Sequence, residues 1–121
     1  MNQFFTPRSG NKFGSRRSAY RGQIYHSKLE AEDAMWLQSL LDEGKLKNVE
    51  RQHKIDIKVN GIHIANHYVD FLVTLPDDRQ KFVETKGMAT SEWRMKCALV
   101  RATSELPYLV NPTERELLSW K

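Results

Sequence analysis

An Asn-Gly pair at residues 60 and 61 is the feature that most constrains how this chain can fold. Apolar and polar residues alternate on both sides of the pair, with Ile55, Ile57 and Val59 before it and Ile62 and Ile64 after it. Asn-Gly is a preferred pair for a two-residue turn between antiparallel strands, because both positions of that turn need a positive φ. The pattern therefore predicts a β-hairpin that begins near Val49.

Further strand patterns follow the hairpin. Residues 67–75 alternate, with Val69, Phe71, Val73 and Leu75 on one side and Tyr68, Asp70 and Leu72 on the other. The turn PDDRQ at 76–80 leads back into KFVETKG at 81–87, where Phe82, Glu84 and Lys86 share a face. The run 108–110 predicts a last strand, which a helical crossover would place parallel to residues 81–86.

Helices are expected on either side of these strands. Ser27 and Glu30 match a capping box, which predicts a helix from Lys28 to Glu43. At about 100° per residue its apolar sector contains Leu29, Ala34, Trp36, Leu37, Leu40 and Leu41. A second helix should begin near residues 90–91 and end before Pro107, and the tail after Pro112 should form a peripheral helix. This order of elements predicts a mixed α/β sheet.

Composition limits the class of protein. A chain of 121 residues and 14.2 kDa has the size of one domain. No apolar run approaches the ~20 residues that span a bilayer, so no membrane segment is expected. The amino terminus lacks the apolar core of a secretory signal, and Cys97 has no cysteine partner. A cytoplasmic location is therefore predicted.

The positive charge is concentrated near the amino terminus. The net charge is +4, and no acidic residue lies between Met1 and Leu29. The basic residues of this stretch before position 27 are Arg8, Lys12, Arg16, Arg17 and Arg21. We predict a flexible basic arm over residues 1–26 that binds DNA phosphates, followed by one domain over residues 27–121. The alternative is a disordered tail that only keeps the protein in solution.

Two acidic residues fall on the apolar face of the first predicted helix. An ionised carboxylate on a core-facing stripe needs a hydrogen-bond donor, a cation or a metal as its partner. Glu30 could close the capping box by accepting from the Ser27 amide, or it could contribute to a metal site. Asp33 lies one turn further along, and the sequence gives no separate reason for it.

The charged residues on the strands suggest chemistry. Glu84 and Lys86 lie roughly 6 to 7 Å apart on one strand face, and Asp70 of the preceding strand could meet them there. Two carboxylates at one spot require a counter-ion, and hard oxygen ligands select Mg²⁺ or Mn²⁺. Such a cation would polarise a phosphodiester oxygen and lower the pKa of a bound water, which Lys86 would orient or deprotonate. The expected reaction is therefore hydrolysis of a phosphodiester. The alternative is an ordinary salt bridge on a solvated sheet, since short charged triplets are common.

The same segments resemble a known family. VDF at 69–71 followed by VETKG at 83–87 resembles the signature of PD-(D/E)XK nucleases, with Val69 in place of proline. With SKLE at 27–30 and SEWRMK at 91–96, the likeness is closest to the phage endonuclease I type of Holliday-junction resolvases and related small phage nucleases. It covers residues 20–111 and implies a restriction-endonuclease-like fold with an αβββαβ core.

The resemblance also implies roles for individual residues. The catalytic set would be Glu30, Asp70, Glu84 and Lys86. The metal set would be Glu30, Asp70, Glu84 and Thr85, with Mg²⁺ as the cofactor and Mn²⁺ as a substitute. Arg94 and Lys96 would contact DNA phosphates, and Gln52 would be an accessory residue.

The expected function is therefore a magnesium-dependent DNA endonuclease that acts in DNA recombination. It would cut branched DNA such as four-way junctions as a homodimer, because two symmetric cuts need two active sites. A general or nicking nuclease with little branch preference and a non-catalytic DNA-binding module on the same fold stay open. Zinc is disfavoured, because His63 and His67 lie in a strand and turn region and Cys97 suits a buried position.

Overall fold

The computed structural model describes the backbone of residues 14–120 and the side chains of residues 27–120. The elements along the chain are α1 (Gly14–Asp42), β1 (Asn48–Val59), β2 (Ile62–Thr74), β3 (Gln80–Glu84), α2 (Ser91–Thr103), β4 (Tyr108–Val110) and α3 (Glu114–Leu118). The predicted αβββαβ order is confirmed, and α3 follows it.

The four strands form one mixed sheet in the order β1-β2-β3-β4. The pairs β1–β2 and β2–β3 are antiparallel, whereas β3 and β4 are parallel and joined through α2. Asn60 and Gly61 make the predicted hairpin turn, with φ values of 53° and 79°. The sheet with its flanking helices is the mixed α/β arrangement that the sequence predicted, and it is consistent with the restriction-endonuclease-like fold that the resemblance implies.

Each face of the sheet packs against its own helix. The core on the α1 side comprises Leu37, Leu40, Leu46, Phe71, Val73, Leu75, Val83 and Leu117. The core on the α2 side comprises Ile57, Val69, Leu72, Phe82, Cys97, Val100 and Tyr108. Burying one such side chain contributes about 1.5–3 kcal/mol, so the two layers fix the sheet firmly between the helices. Among residues 14–120, no helix has the length and apolar character that crossing a bilayer requires.

Helix α1 begins earlier than the sequence predicted. It starts at Gly14 rather than Lys28, and it ends at Asp42, just before Gly44 with φ 78°. A capping residue needs a non-helical backbone, and Ser27 lies inside the helix, so the predicted capping box does not form. No proline stands between Gly14 and Ser27 to stop the helix. Residues 14–26 thus extend α1, and the predicted arm residues 1–13 lie outside the described part.

The last helix is less peripheral than expected. Leu117 of α3 is completely buried in the α1-side core. Lys81 of β3 is also buried, and its Nζ donates to the carbonyl oxygens of Leu117 and Ser119, both at 2.9 Å, and of Glu116 at 3.3 Å. A buried ammonium group therefore satisfies the carbonyls at the end of α3 and attaches it to the sheet.

Replacing Lys81 by Met should destabilise the fold. Methionine fills a similar volume but donates no hydrogen bond, so buried carbonyls of α3 would lose their donor. We expect the free energy of unfolding to fall by about 2 kcal/mol, as for other hydrogen bonds to charged groups. Urea denaturation measures this loss, and Lys54→Met, at an exposed position of β1, is the matched control. Equal stability of the two variants would contradict the role given to Lys81.

Candidate functional site

The site begins at an irregularity in the β1–β2 ladder. Arg51 pairs with Phe71 and His53 pairs with Val69, but Gln52 between them has φ 53°. Phe71 packs in the α1-side core and Val69 in the α2-side core, although the sequence predicted both on one side. That prediction was wrong because a left-handed residue interrupts the two-residue period of paired strands.

Asp70 lies on β2 opposite Gln52, at the point where the pairing of β2 with β3 ends. The last pair of β2 and β3 is Phe71 with Val83, and Asp70 is the residue just before Phe71 in β2. The Oδ2 atom of Asp70 then accepts a hydrogen bond of 2.8 Å from the backbone amide of Thr85. Asp70 and Thr85 are 6% and 1% exposed. A buried carboxylate is thus held at the end of β3.

Glu84, the last residue of β3, meets Asp70 at this point. Its Oε1 atom accepts a hydrogen bond of 2.8 Å from the Tyr108 hydroxyl, and its side chain also hydrogen-bonds to Asp70. Burial and then the Asp70 charge raise the pKa of Glu84 to about 8, while the Tyr108 hydrogen bond and the Lys86 charge act in the opposite direction. Without a cation, Glu84 therefore keeps its proton at neutral pH.

Lys86 lies two residues beyond Glu84 and is half-buried. Its Nζ atom lies 5.1 Å from the centroid of the Trp93 ring on α2. Its backbone is fixed by Asn111, which accepts from the Lys86 amide at 2.9 Å and donates to the Lys86 carbonyl at 2.8 Å. The structure thus places Lys86 beside the carboxyl pair, with both its main chain and its side chain oriented.

Glu30 reaches the same site from α1. The Nε2 atom of Gln52 donates to Glu30 Oε2 at 3.1 Å and lies 3.5 Å from Asp70 Oδ1. The Arg51 guanidinium is 3.4 Å from the same Glu30 oxygen. One amide therefore bridges the helix carboxylate and the strand carboxylate, which places the predicted accessory residue at the site. The capping-box explanation of Glu30 is wrong, since Ser27 is helical.

Asp33 now has a role that the sequence could not supply. Its Oδ2 atom accepts a hydrogen bond of 2.7 Å from the Thr85 hydroxyl. Since the Thr85 amide donates to Asp70, Thr85 connects a carboxylate on α1 to one on β2. A cleft bordered by Asp33, Thr85, Lys86 and Asn111 opens next to this connection. Helix α1 thus contributes two carboxylates, those of Glu30 and Asp33, to the surroundings of the end of β3.

Two site residues were missed by the sequence reasoning. His67 Nε2 lies 2.7 Å from the Tyr108 hydroxyl and 3.9 Å from Glu84 Oε1. Burial, then the charges of Lys96 and Lys86, lower the pKa of His67, so its ring is neutral at neutral pH. Burial also raises the pKa of Tyr108, which keeps its hydroxyl proton. For Tyr108, the only indication in the sequence was the prediction that residues 108–110 form a strand parallel to residues 81–86.

The predicted DNA-binding residues are located only in part. Arg94 of α2 is exposed, and Lys96 is half-buried with its Nζ 3.3 Å from Glu92 Oε2. Both belong to the helix that packs against the Glu84 face of the sheet. Arg8 and Lys12 lie outside the described residues, and so do the side chains of Arg16, Arg17 and Arg21. Phosphate binding by these five stays a prediction.

The oxygen atoms at the β3 end fit a magnesium or manganese ion better than zinc. Within residues 27–120, no group of three or more His, Cys, Asp and Glu side chains has the spacing of a metal site. Mg²⁺ keeps several waters and is commonly held by one or two carboxylates, which Asp70 and Glu84 supply. Of the nitrogen donors, His63 lies 2.6 Å from Asp56 and His67 contacts Tyr108, so they do not converge.

The carboxyl pair should make the stability of the metal-free protein depend on pH. Glu84 has a raised pKa of about 8 in the folded state against 4.5 ordinarily, so folding takes up a proton between these values. Stability therefore falls as pH rises through this interval, by at most about 1.4 kcal/mol per pH unit. The difference in unfolding free energy between Glu84→Gln and wild type should grow with pH and level off above about pH 8. Denaturation in the presence of a chelator measures it, and a constant difference would contradict the shift.

Comparison with known proteins shows the family to which the chain belongs. No curated protein and no solved structure is significantly similar to this chain. One family model matches residues 10–108, a stretch that contains Glu30, Asp70, Glu84 and Lys86 and ends at Tyr108. The chain therefore belongs to the family described as "Protein of unknown function (DUF1064)".

Proposed function

We propose that this protein is a magnesium-dependent DNA endonuclease that hydrolyses phosphodiester bonds. The observation that carries the proposal is the contact of the Asp70 and Glu84 carboxyl groups, buried and beside Lys86. Burying two acids against each other is costly, and such arrangements concentrate at functional sites. The burial of Asp70 and Glu84, which are only 6% and 4% exposed, argues against the alternative of a salt bridge with Lys86 on a solvated sheet.

Asp70 and Glu84 are the side chains that would hold the cation, with Glu30 and Thr85 close by. When bound, Mg²⁺ or Mn²⁺ supplies Lewis-acid polarisation of a phosphodiester oxygen and a lowered pKa of water. The protein fixes the ligands in advance: the Thr85 amide orients Asp70, and the Tyr108 hydroxyl orients Glu84. Preorganised oxygens of this kind are what a magnesium ion, with its strict octahedral geometry, requires.

Lys86 would act on the water or the phosphate. Its ammonium group lies over the Trp93 ring, 5.1 Å from the centroid, and its charge acts on Glu84. From there, Nζ can orient or deprotonate an attacking water and stabilise negative charge on the phosphate. Arg94 and Lys96 follow on α2 and provide positive charge for the DNA backbone on the same side of the sheet.

The finer part of the proposal concerns the substrate. The resemblance to junction resolvases leads us to propose branched DNA as the preferred substrate and a homodimer as the active species. A two-fold pair of sites would deliver the two symmetric cuts that a four-way junction requires. Sedimentation of the protein on junction DNA tests this part, and a species that contains only one protein chain would exclude the dimer.

The test of the activity compares a four-way junction, a flap and a linear duplex of matched sequence. Each is incubated with the full-length protein and Mg²⁺, Mn²⁺ or a chelator. We expect cleavage only with a divalent ion, and fastest on the junction. Equal cutting of all three substrates would favour a general nuclease instead. Binding without hydrolysis of any substrate, with either ion, would overturn the proposal in favour of a DNA-binding module.

A further inference from the structure

Two buried hydrogen bonds link three polar side chains in a row that ends at the Glu84 carboxylate, and we call this row the hydrogen-bond chain. It runs from His67 on β2 to Tyr108 on β4 and then to Glu84 on β3, with contacts of 2.7 and 2.8 Å. The three residues are between 4% and 6% exposed. The chain thus crosses the sheet from one side of β3 to the other, inside the α2-side core.

The direction of the hydrogen bonds follows from their partners. Tyr108 donates its hydroxyl proton to Glu84 Oε1, so its oxygen is left to accept. Because the Tyr108 oxygen can only accept here, His67 carries a proton on Nε2 and donates it to Tyr108. Every proton in the chain points towards Glu84. A chain with this polarity stabilises negative charge on the carboxylate at its end.

Packing explains the Tyr108 ring but not its hydroxyl. The ring centroid lies 6.1 Å from that of Phe82 and 5.5 Å from the Arg101 guanidinium carbon. Phenylalanine would make both contacts equally well. A hydroxyl and an imidazole in an apolar core are costly unless they are paired, and here their pairing leads only to the acid at the site.

We propose that Tyr108 and His67 are positioning residues that hold Glu84 through Oε1 and leave its other oxygen for the divalent cation. The inference rests on the proposed function, because it assigns Glu84 to a metal site. Partners of this kind orient a metal ligand without touching the metal, and losing one typically weakens metal binding or activity by about 10- to 100-fold.

The test measures Mn²⁺ binding to the full-length, DNA-free protein by calorimetry, so its readout does not depend on cleavage. Tyr108→Phe removes the hydroxyl and keeps the ring. The matched control is Tyr68→Phe, at an exposed tyrosine on β2 next to His67. We expect the dissociation constant for Mn²⁺ to rise about 10-fold or more in Tyr108→Phe and to stay unchanged in the control. Thermal melting without metal checks that both variants fold.

The outcomes separate the inference from the proposed function. Wild-type affinity in a folded Tyr108→Phe, with an active wild-type enzyme, would overturn the positioning role alone. Wild-type protein that neither binds Mn²⁺ nor cleaves DNA would overturn both. If Tyr108→Phe does not melt cooperatively, His67→Leu decides: weaker Mn²⁺ binding than wild type supports the role, and unchanged binding overturns it.

Discussion

Replacing Glu84 by Gln is expected to lower Mg²⁺-dependent DNA cleavage by at least about 1,000-fold, while the variant stays folded. A bound divalent ion contributes several kcal/mol to stabilising charge in the transition state, and each 1.36 kcal/mol is about tenfold in rate. Glutamine keeps an oxygen that accepts from the Tyr108 hydroxyl, so the local hydrogen bond is retained. What it removes is the negative charge that the cation needs.

Stability should move in the opposite direction from activity in this variant. Because burial and Asp70 raise the pKa of Glu84 to about 8, the metal-free wild type carries an unfavourable acid pair. An amide relieves that cost, so near pH 8 Glu84→Gln should be at least as stable as wild type. A gain in stability with a loss of cleavage distinguishes a metal ligand from a residue that only supports the fold.

The matched control is Glu50→Gln, the same exchange at an exposed position of β1. Its carboxylate lies 2.9 Å from His53 Nδ1 at the surface, and the loss of such a contact costs little. Initial cleavage rates over a Mg²⁺ series, together with denaturation curves, are to be measured for both variants. Cleavage by Glu84→Gln within about tenfold of the control would contradict the assignment of Glu84 to the metal.

The strand residues of the site were predictable because their positions follow from local patterns. Alternation in residues 81–87 fixed Glu84 and Lys86 on one face, and the preceding strand placed Asp70 within reach. The antiparallel turn at residues 76–80 then determines which residues face each other. The fold class followed from the same strands, with Tyr108 to Val110 correctly expected to run parallel to β3.

What the sequence did not predict depends on tertiary contacts. The register of a parallel pair is not set by a turn, so nothing local indicated that Tyr108 would face Phe82 and reach Glu84. The left-handed backbone at Gln52 leaves no signature in an ordinary polar residue. The start of α1 was misplaced because a capping-box match occurs inside a helix as easily as at its end. Asp33 likewise made sense only once Thr85 was beside it.

Replacing Lys86 by Ala should lower the rate of cleavage by about 10²- to 10⁴-fold, the usual contribution of a positioned proton donor or acceptor. The backbone at this position is held by Asn111 through two hydrogen bonds, so alanine should not displace Glu84 or Thr85. The ammonium group and its contact with Trp93 are what the variant loses. Mn²⁺ binding should persist, because Asp70 and Glu84 are unchanged.

Lys58→Ala separates this specific effect from a general loss of positive charge. Lys58 is exposed on β1, and its Nζ is 3.8 Å from Asp56. Both variants lose one charge, so both should bind DNA slightly less tightly and show a slightly smaller dependence of affinity on salt. Single-turnover cleavage at saturating protein concentration removes that shared effect, since every DNA molecule is then bound. Only Lys86→Ala should remain slow under these conditions, because Lys86, unlike Lys58, lies beside the acids that are proposed to hold the cation. Equal rates for the two variants would show that the Lys86 amine takes no part in the chemical step.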